Sequence, residues 1–299
     1  MRDLRVEPVP PPADRYDRLI AYYEEAGPDF AQWSAAFNMH FGYYRSGLNP
    51  FRREPMLSEL NRQVLDRLGL AQDTAGLIVD LGCGVGATVR EAAARFPATE
   101  VCGITIVPWQ LETGNEWNRK IGVYPRARLE RRDYTASGLG SSSADGAYAI
   151  ESACHAPRPD KDLFVREAAR ILKPGAHLVV ADGFRHHPER RLGPVSRRLH
   201  DALCRSFVLP ELAEIEAFAG ALDRHGFDRI AIEDASWRVA PSALHAPAAV
   251  AWFALKKRLR GEPLSYWSVR NLKGSVLSAL VGAMRWKFGY YIVSARRCQ

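Results

Sequence analysis

Several features are missing from this 299-residue sequence, and each absence argues against a class of protein. No uninterrupted apolar run reaches the roughly 20 residues that a membrane-spanning helix needs. The five cysteines are scattered and form no C-x-x-C pair, so the sequence predicts neither a zinc knuckle, nor any other metal site, nor a disulfide framework. Because residues 1–18 contain no apolar signal segment, we expect a cytoplasmic protein.

A long basic block is also missing, although the net charge is +7. A positive balance is compatible with nucleic acid or with an acidic lipid surface as partner. No aromatic-basic repeat or known nucleic-acid module accompanies it, so we expect no nucleic-acid partner. The basic stretch over residues 185–205 keeps one alternative open, a protein that binds or modifies RNA, and a solvated helix face explains that stretch as well.

The most informative feature that is present is a glycine-rich turn. The apolar run Leu77–Val79 ends at Asp80, and glycines follow at alternate positions, namely Gly82, Gly84 and Gly86. Such a run predicts a buried parallel strand, and the glycines predict a tight turn that a ligand can approach closely. Residues 88–96 have helical composition, so the free N–H groups at their start would face the turn. The sequence therefore predicts a site for a nucleoside cofactor.

Three interpretations of this turn remain at this point. Gly82, Gly84 and Ala87 satisfy the G-x-G-x-x-A dinucleotide pattern, which would indicate an NAD-dependent enzyme. A turn of the same kind is also compatible with other nucleoside cofactors. A glycine turn with no ligand is the third interpretation, although three alternating glycines behind a buried strand are unusual for a loose turn.

Strands and helices alternate after the turn. The predicted strands cover residues 77–80, 101–106, 126–131, 146–152, 176–182, 227–233 and 289–295. The predicted helices cover residues 88–96, 109–121, 161–172, 210–225, 243–260 and 272–286, and the helix that ends at Leu172 is expected to stop at Lys173-Pro174-Gly175. The alternation predicts an α/β fold with a Rossmann-like, doubly wound, seven-stranded sheet. The helices between the last strands would form a cap over the substrate.

The residues before the sheet form a separate region. Prolines at positions 8, 10, 11 and 12 predict a leader over residues 1–13, and helices are expected over 16–25 and 56–68. The aromatic segment 30–51 is either a core seam or a lid over an apolar ligand. We therefore predict a leader and helical, aromatic lid over residues 1–70. A cofactor-binding domain follows over 71–299, with helical cap insertions around 185–226 and 240–286.

Four segments resemble class I S-adenosylmethionine (SAM) methyltransferases, and in particular the sterol and tocopherol C-methyltransferase group. Residues 80–86 (DLGCGVG) resemble motif I of that class, and residues 103–110 (GITIVPWQ) resemble the G-I-T-x-x-P-x-Q segment of tocopherol C-methyltransferases. Arg132-Asp133-Tyr134 follows the third strand, and residues 148–157 (YAIESACHAP) are similar to the Y-A-I-E-A-T-C-H-A-P segment of sterol C-methyltransferases. The resemblance covers roughly residues 35–185.

The resemblance implies a set of residues that bind SAM. Asp80 and the three glycines would receive its amino-acid end. Most nucleoside-binding folds place an acid at the end of the second strand, whereas this chain has Thr105, so Gln110 would share the contact with the ribose. Asp133 would accept from the adenine amino group, with Tyr134 beside the ring. The lack of an acid at position 105 also argues against NAD.

The same resemblance implies the groups that act on the acceptor. If the acceptor is methylated on carbon, a proton must leave afterwards, and His155 is the natural base. Glu151 would orient His155 or stabilise positive charge on the substrate. Residues 40–44 (HFGYY) resemble the H-x-G-Y-W/Y segment before motif I, which implies that Tyr23, His40 and Tyr44 form a lid over cofactor and substrate.

The expected function is therefore SAM-dependent C-methylation of an isoprenoid, sterol-like or related lipid or natural-product acceptor. No Y-E-x-G-W-G run precedes motif I, which argues against a sterol and favours another isoprenoid or a natural-product intermediate. The alternative is O- or N-methylation of a small secondary metabolite, in which His155 would deprotonate the acceptor. The tail over residues 252–291 mixes apolar and basic residues, as do helices that rest on a membrane surface, and a cap helix buried against the core is the competing interpretation.

Overall fold

The structure is a computed structural model that describes residues 15–299, so the predicted leader lies outside the described residues. Its helices are α1 Arg15–Ala26, α2 Arg53–Asp66, α3 Ala87–Arg95, α4 Pro108–Lys120, α5 Asp162–Ile171, α6 Pro194–Phe207, α7 Ile215–Arg224, α8 Ser236–Ala243, α9 His245–Leu259 and α10 Tyr266–Ala283. Its strands are β1 Leu77–Leu81, β2 Glu100–Thr105, β3 Ala127–Arg131, β4 Ala144–Ile150, β5 Leu172–Arg185, β6 Ala213–Glu214, β7 Phe227–Asp234 and β8 Phe288–Arg297.

The sheet has the order β3-β2-β1-β4-β5-β8-β7, with the two-residue strand β6 paired to β5 outside this path. Neighbouring strands from β3 to β5 are parallel, whereas β8 is antiparallel to both β5 and β7. The predicted Rossmann-like, doubly wound sheet is confirmed, and the short strand β6 is an addition to the seven expected strands.

Both faces of the sheet are covered, which explains why its central strands are continuously apolar. On one face, Val79 and Leu81 of β1 belong to a core that includes Phe164 of α5 and Phe218 of α7. On the other face, a second core joins Ile78 of β1 to side chains of α2 and α3. The carboxyl ends of β1, β2 and β4 therefore meet at one edge of the sheet, where the loops that follow them can form a site.

Strand β5 differs most from the prediction. It spans Leu172–Arg185 rather than residues 176–182, so Lys173-Pro174-Gly175 begins a strand instead of forming a free turn. The pairing of β4 with β5 is irregular between Ala144 and Gly146, and such an irregularity accommodates a proline that has no N–H to donate. At the other end, nine residue pairs with β8 extend β5 to Arg185, and the buried Arg185 guanidinium pairs with Glu211.

The cap helices also depart from their predicted bounds. The helix expected over residues 243–260 is observed as α9, His245–Leu259, and a further helix that was not predicted, α8, precedes it and ends at Ala243, next to Leu244. Helix α10 starts six residues earlier than expected because the Ser265 side chain caps it, accepting a hydrogen bond from the N–H of Ser268. The helix predicted over 210–225 begins only at Ile215. The proposed division of the chain at residue 70 stays a prediction.

Candidate active site

A narrow cleft lies at the carboxyl ends of the parallel strands, with a volume of about 100 Å³. Its walls come from the loops after β1, β2, β3 and β4 and from α1. We call it the cleft. The predicted cofactor residues that line it are Asp80, Gly82, Gly84, Thr105, Gln110, Asp133 and Tyr134. The structure thus brings together residues that are up to 54 positions apart in the sequence.

The three glycines have different roles in the turn after β1. All three have positive φ angles, +100° at Gly82, +53° at Gly84 and +78° at Gly86. A Cβ on Gly82 would lie 2.4 Å from Cβ of Ser152, so this glycine lets the loop after β4 approach. Gly86 is the residue before α3, where a Cβ would lie 2.9 Å from Leu129. Gly86 does not line the cleft, so its predicted contact with a ligand is not supported.

Asp80 lies at the floor of the cleft and is almost completely buried. Burial raises the pKa of its carboxyl group to about 8, against the opposing effect of the nearby Tyr148 hydroxyl. No side chain caps the N-terminus of α3, and Ala87 and Thr88 of its first turn line the cleft. A ligand with both a positive and a negative group fits this end, because Asp80 favours the first and the helix N-terminus the second.

The other predicted cofactor residues form the far end of the cleft. Thr105 Oγ1 donates to Gln110 Oε1 over 2.6 Å, so these two side chains act as one polar unit. Asp133 Oδ1 accepts hydrogen bonds from the N–H and the hydroxyl of Thr135, which fixes the loop after β3. The Tyr134 hydroxyl donates to the Ser152 carbonyl and thereby joins this loop to the one after β4.

A second, larger space adjoins the cleft and has a volume of about 550 Å³. We call it the cavity. Its walls come mainly from α6, α8, α9, α10 and β8, and apolar side chains predominate among them, including Phe184, Leu203, Phe207, Val250, Phe253, Val281 and Phe288. The size and the lining suit an apolar molecule larger than a typical small metabolite.

Five residues line both the cleft and the cavity, and they mark the place where the two spaces meet. They are Tyr23, Met39, His40, Glu151 and His155. Four of them are predicted catalytic or lid residues. The fifth predicted catalytic or lid residue, Tyr44, lines neither space. Its N–H donates to the Arg238 carbonyl, which directs this part of the chain towards α8 and away from the junction.

His155 sits in a short 3-10 turn, Ala153–His155, that follows β4. Its Nε2 lies 3.0 Å from the Tyr23 hydroxyl of α1. The turn is fixed on both sides, because the N–H of Cys154 donates to Asp182 and the buried Lys161 ammonium donates to the carbonyls of Cys154 and Ala156. The turn that carries His155 is therefore held in place by Asp182 and Lys161, neither of which lines the cleft.

Glu151 is the carboxyl group at the junction. Its Oε1 accepts from the N–H of Phe41 over 2.8 Å and from the Tyr290 hydroxyl over 3.0 Å. Burial raises the pKa of Glu151 to about 8, so the group is largely protonated at neutral pH. Its φ of +48° is rare for a residue other than glycine, and strain of this kind concentrates at functional sites.

His40 is also buried at the junction, and burial lowers the pKa of its imidazole to about 4. It is therefore neutral at physiological pH, with Nδ1 donating to the Phe41 carbonyl over 2.7 Å. His40 therefore has a structural role at the junction, since its hydrogen bond fixes the backbone of Phe41, whose N–H donates to Glu151.

Sequence reasoning missed two polar residues of the cavity, Asp182 and Tyr290. Asp182 accepts from the N–H groups of Cys154 and Gly183, and burial raises its pKa to about 6. A signal for it exists, since Asp182 ends the apolar run of β5 as Asp80 ends that of β1. Tyr290 reaches the junction from the last strand, and no local pattern indicates this.

Among residues 15–299, no group of three or more His, Cys, Asp or Glu side chains is placed to hold a metal ion.

Comparisons with known proteins agree with this geometry. A family model for a methyltransferase domain matches residues 78–175. The O-methyltransferase cnsE of Penicillium expansum is 30% identical over 221 residues, which are 74% of this chain and 75% of that protein. The sterol 24-C-methyltransferase of Eremothecium gossypii is 26% identical over 226 residues, 74% of this chain, and the match spans 57% of that longer protein.

A solved structure shares the fold over almost the whole chain. It is a geranyl diphosphate C-methyltransferase from Streptomyces coelicolor in complex with Mg²⁺, geranyl diphosphate and S-adenosyl-L-homocysteine, with a TM-score of 0.71 and 18% identity, covering 97% of this chain and 100% of that one. The fold, the glycine turn at the cleft and the 30% identical relative lead to one conclusion. This chain belongs to the class I methyltransferases that use SAM as methyl donor.

Proposed function

We propose that this enzyme transfers the methyl group of SAM to a carbon atom of an apolar, isoprenoid-like acceptor held in the cavity. The observation that supports this most strongly is the junction, where the cleft and the cavity share His155, Glu151 and Tyr23. A methyl donor in the cleft and an acceptor in the cavity would meet there, next to a base. Methyl transfer is mainly a problem of positioning, and two connected sites supply the positioning.

The residues of the cleft fit SAM. Asp80 suits the ammonium group of the cofactor, and the free N–H groups at the start of α3 suit its carboxylate. Gly84 leaves the side of the turn open, since a Cβ there would meet only Met39, 3.1 Å from its sulfur. Thr105, Gln110 and Asp133 supply polar groups at the other end for the nucleoside. The bound cofactor supplies an electrophilic methyl group on a sulfonium.

The lining of the cavity supports the choice of acceptor. Burying an apolar acceptor gains about 25 cal/mol per Å² of surface removed from water, so a largely apolar cavity selects such molecules. Two of the compared proteins are named for acceptors of this chemistry, a sterol and geranyl diphosphate. We therefore infer an isoprenoid or a natural-product intermediate with a similar apolar body.

The chemistry of the junction fits carbon as the nucleophile. An electron pair of an acceptor double bond would form the new C–C bond while the C–S bond breaks, leaving positive charge on the acceptor. The adjacent C–H bond would then supply the electrons that restore the double bond, and Nε2 of His155 would take the proton. Asp182, with a pKa of about 6, is largely ionised at neutral pH, and Glu151, with a pKa of about 8, can ionise when positive charge develops near it, so both would stabilise that charge.

Oxygen is the second candidate for the methylated atom, and the name of the 30% identical relative, an O-methyltransferase, favours it. In that reaction His155 would remove the proton of a hydroxyl group before or during transfer. The largely ionised carboxylate of Asp182 would disfavour the negative charge that then develops on oxygen, which is why we place carbon first.

The test uses methyl-labelled SAM with isoprenoid, tocopherol-like and phenolic acceptors. We expect His155→Ala to lower turnover by 100-fold or more, on the order of the usual contribution of a general base, with the affinity for SAM unchanged. Tyr23→Phe removes only the hydroxyl near His155 Nε2 and is expected to have a smaller effect. His187→Ala, outside both spaces, is the matched control. Label in no product, or full activity of His155→Ala, would refute the proposed chemistry.

We also propose that the enzyme contacts a membrane peripherally, because an isoprenoid acceptor partitions into lipid. The support is the mixture of tryptophan, leucine, lysine and arginine in the last third of the chain. Within residues 15–299, none of the helices has the length and apolar character needed to cross a bilayer.

A further inference from the structure

The cap helices are apolar on two sides, which is unusual for helices at the surface of a protein. Helix α9 directs Val250 and Phe253 to the cavity, while Trp252 and Leu259 on the same helix are 63% and 77% exposed. Helix α10 likewise buries Leu277 and leaves Leu280 exposed. One apolar side of each helix faces the interior and lines the cavity, whereas no described residue covers the exposed apolar side chains on the other side.

Exposed apolar side chains concentrate on this part of the molecule. Fourteen large hydrophobic side chains within residues 15–299 are exposed, and nine of them fall between residues 236 and 287. We call these nine the apolar face, and they are Trp237, Leu244, Trp252, Leu255, Leu259, Val269, Val276, Leu280 and Trp286. Most of them lie on α8, α9 and α10, which pack against one another, and exposed apolar side chains concentrated in this way indicate a site for a partner or a membrane.

The charge of the same segment is strongly positive. Residues 236–287 contain nine lysine and arginine residues and one glutamate, a net charge of +8, which exceeds the +7 of the whole chain. The last turn of α9 alone carries Lys256, Lys257 and Arg258, followed by Arg260. Basic side chains beside exposed tryptophan and leucine are the pattern of a surface that rests on anionic lipid.

The cavity opens at this face. Trp237 and Leu244 line the cavity, and they are also 75% and 72% exposed, so they stand at its mouth. The Arg285 guanidinium lies over the Trp237 indole, 5.8 Å from the centre of the ring. A molecule that enters between α8, α9 and α10 would therefore pass from the apolar face into the cavity, whose lining is mainly apolar, and reach the junction through it.

We propose that the apolar face docks on an anionic lipid bilayer and that the acceptor enters the cavity directly from that bilayer, through the mouth between Trp237 and Leu244. The docking follows from the face alone, whereas the route of the acceptor rests on the proposed function. A second copy of this chain fits the face less well, because a symmetric dimer would bring two strongly basic surfaces together.

The first experiment measures binding of the full chain to vesicles by flotation, without SAM or acceptor. We expect binding to mixed phosphatidylcholine and phosphatidylglycerol vesicles and little binding to phosphatidylcholine alone. Arg258→Gln/Arg260→Gln should weaken binding about 30-fold, which corresponds to about 1 kcal/mol for each arginine near an anionic surface. The matched control is Arg119→Gln/Lys120→Gln on α4, which packs on β2 and β3 at the edge of the sheet away from β8.

The second experiment shows which surface touches the lipid. Three of the seven tryptophans belong to the apolar face, namely Trp237, Trp252 and Trp286. Lipids brominated in their acyl chains should quench the tryptophan fluorescence of the wild type. The triple variant Trp237→Phe/Trp252→Phe/Trp286→Phe should show no such quenching. Three results would each overturn the proposal. The first is quenching that survives in the triple variant, and the second is an equal loss of vesicle binding in the α4 control. The third is a dimer in solution that dissociates in Trp252→Ser/Leu259→Ser.

The route of the acceptor has its own test. We expect Arg258→Gln/Arg260→Gln to methylate an acceptor delivered by cyclodextrin as fast as the wild type, and one embedded in anionic vesicles at least tenfold more slowly. Equal rates from vesicles would refute the route. If the wild type binds vesicles but methylates the acceptor in neither format, the proposed function is contradicted and the proposed docking surface is not.

Discussion

Replacing Glu151 with glutamine is expected to stabilise the protein at alkaline pH and to change its stability little in acid. Burial raises the pKa of Glu151 from the ordinary 4.5 to about 8 in the folded state. Below pH 4.5 the carboxyl group is protonated whether the chain is folded or unfolded. Between the two values the unfolded chain ionises while the folded one keeps its proton, so the free energy of unfolding falls as the pH rises.

The size of the effect follows from the two pKa values. The penalty grows by about 1.4 kcal/mol for each pH unit between them and reaches about 5 kcal/mol above pH 8. Glutamine cannot ionise, and its carbonyl oxygen can still accept from the Phe41 N–H and the Tyr290 hydroxyl that now hold Oε1. The variant should therefore lose the penalty while keeping the contacts.

Urea unfolding of wild type and variant without SAM, at about pH 5 and about pH 8.5, measures the difference. We expect a gain of under about 1 kcal/mol at the lower pH and several kcal/mol at the higher. Glu167→Gln is the control, because its hydrogen bonds with Arg170 and Ser137 lower the pKa of Glu167 to about 2. The stabilisation that ionised Glu167 provides is lost only as the pH falls from 4.5 towards about 2. Glu167→Gln should therefore lower the free energy of unfolding by the same amount at about pH 5 and at about pH 8.5. An equal effect of Glu151→Gln at both pH values would refute the reasoning.

Three further substitutions test other parts of the account. Gly82→Ala should abolish SAM binding in calorimetry and lower the free energy of unfolding by at least about 2 kcal/mol, since its Cβ would lie 2.4 Å from Ser152 and its φ is +100°. The control is Gly220→Ala on α7, with only Arg224 nearby, which should change the free energy of unfolding by less than about 1 kcal/mol. Lys161→Met should lower the free energy of unfolding by about 3 kcal/mol or more, because it leaves the carbonyls of Cys154, Ala156 and Glu211 without their buried ammonium, and an unchanged urea midpoint would contradict this. Ala279→Phe should raise the KM for the acceptor without altering the affinity for SAM, because Ala279 lines the cavity alone, and a parallel loss of SAM affinity would show that the two spaces are not separate.

The fold of the central sheet could be predicted because each central strand is an apolar run with its own boundary signal. Leu77–Val79 ends at Asp80, and the glycine turn that follows starts α3. The cleft could be predicted for the same reason, since parallel strands end at one edge and bring Thr105, Asp133 and Glu151 to it. Local pattern and global topology agree over this part of the chain.

The cavity could not be predicted, because its walls come from elements that are distant in the sequence. Tyr290 lies 139 positions after Glu151, and only the antiparallel pairing of β8 with β5 brings the two together. Helix α8 was not predicted, because only a break at Leu244 separates it from α9, and the apolar composition of both helices conceals that break. Tyr44 was misplaced for a similar reason, since a contact of its backbone with Arg238, almost 200 residues later, decides its position.

The central claim is that the methyl group passes from the cleft to a carbon atom in the cavity, at the junction formed by His155, Glu151 and Tyr23. The most direct measurement supplies SAM labelled in its methyl carbon to the wild-type enzyme with an isoprenoid acceptor, and locates the label in the product by NMR. We predict a methyl group bonded to carbon and showing a one-bond coupling to a carbon of the acceptor. A label bonded to oxygen or nitrogen would contradict the claim.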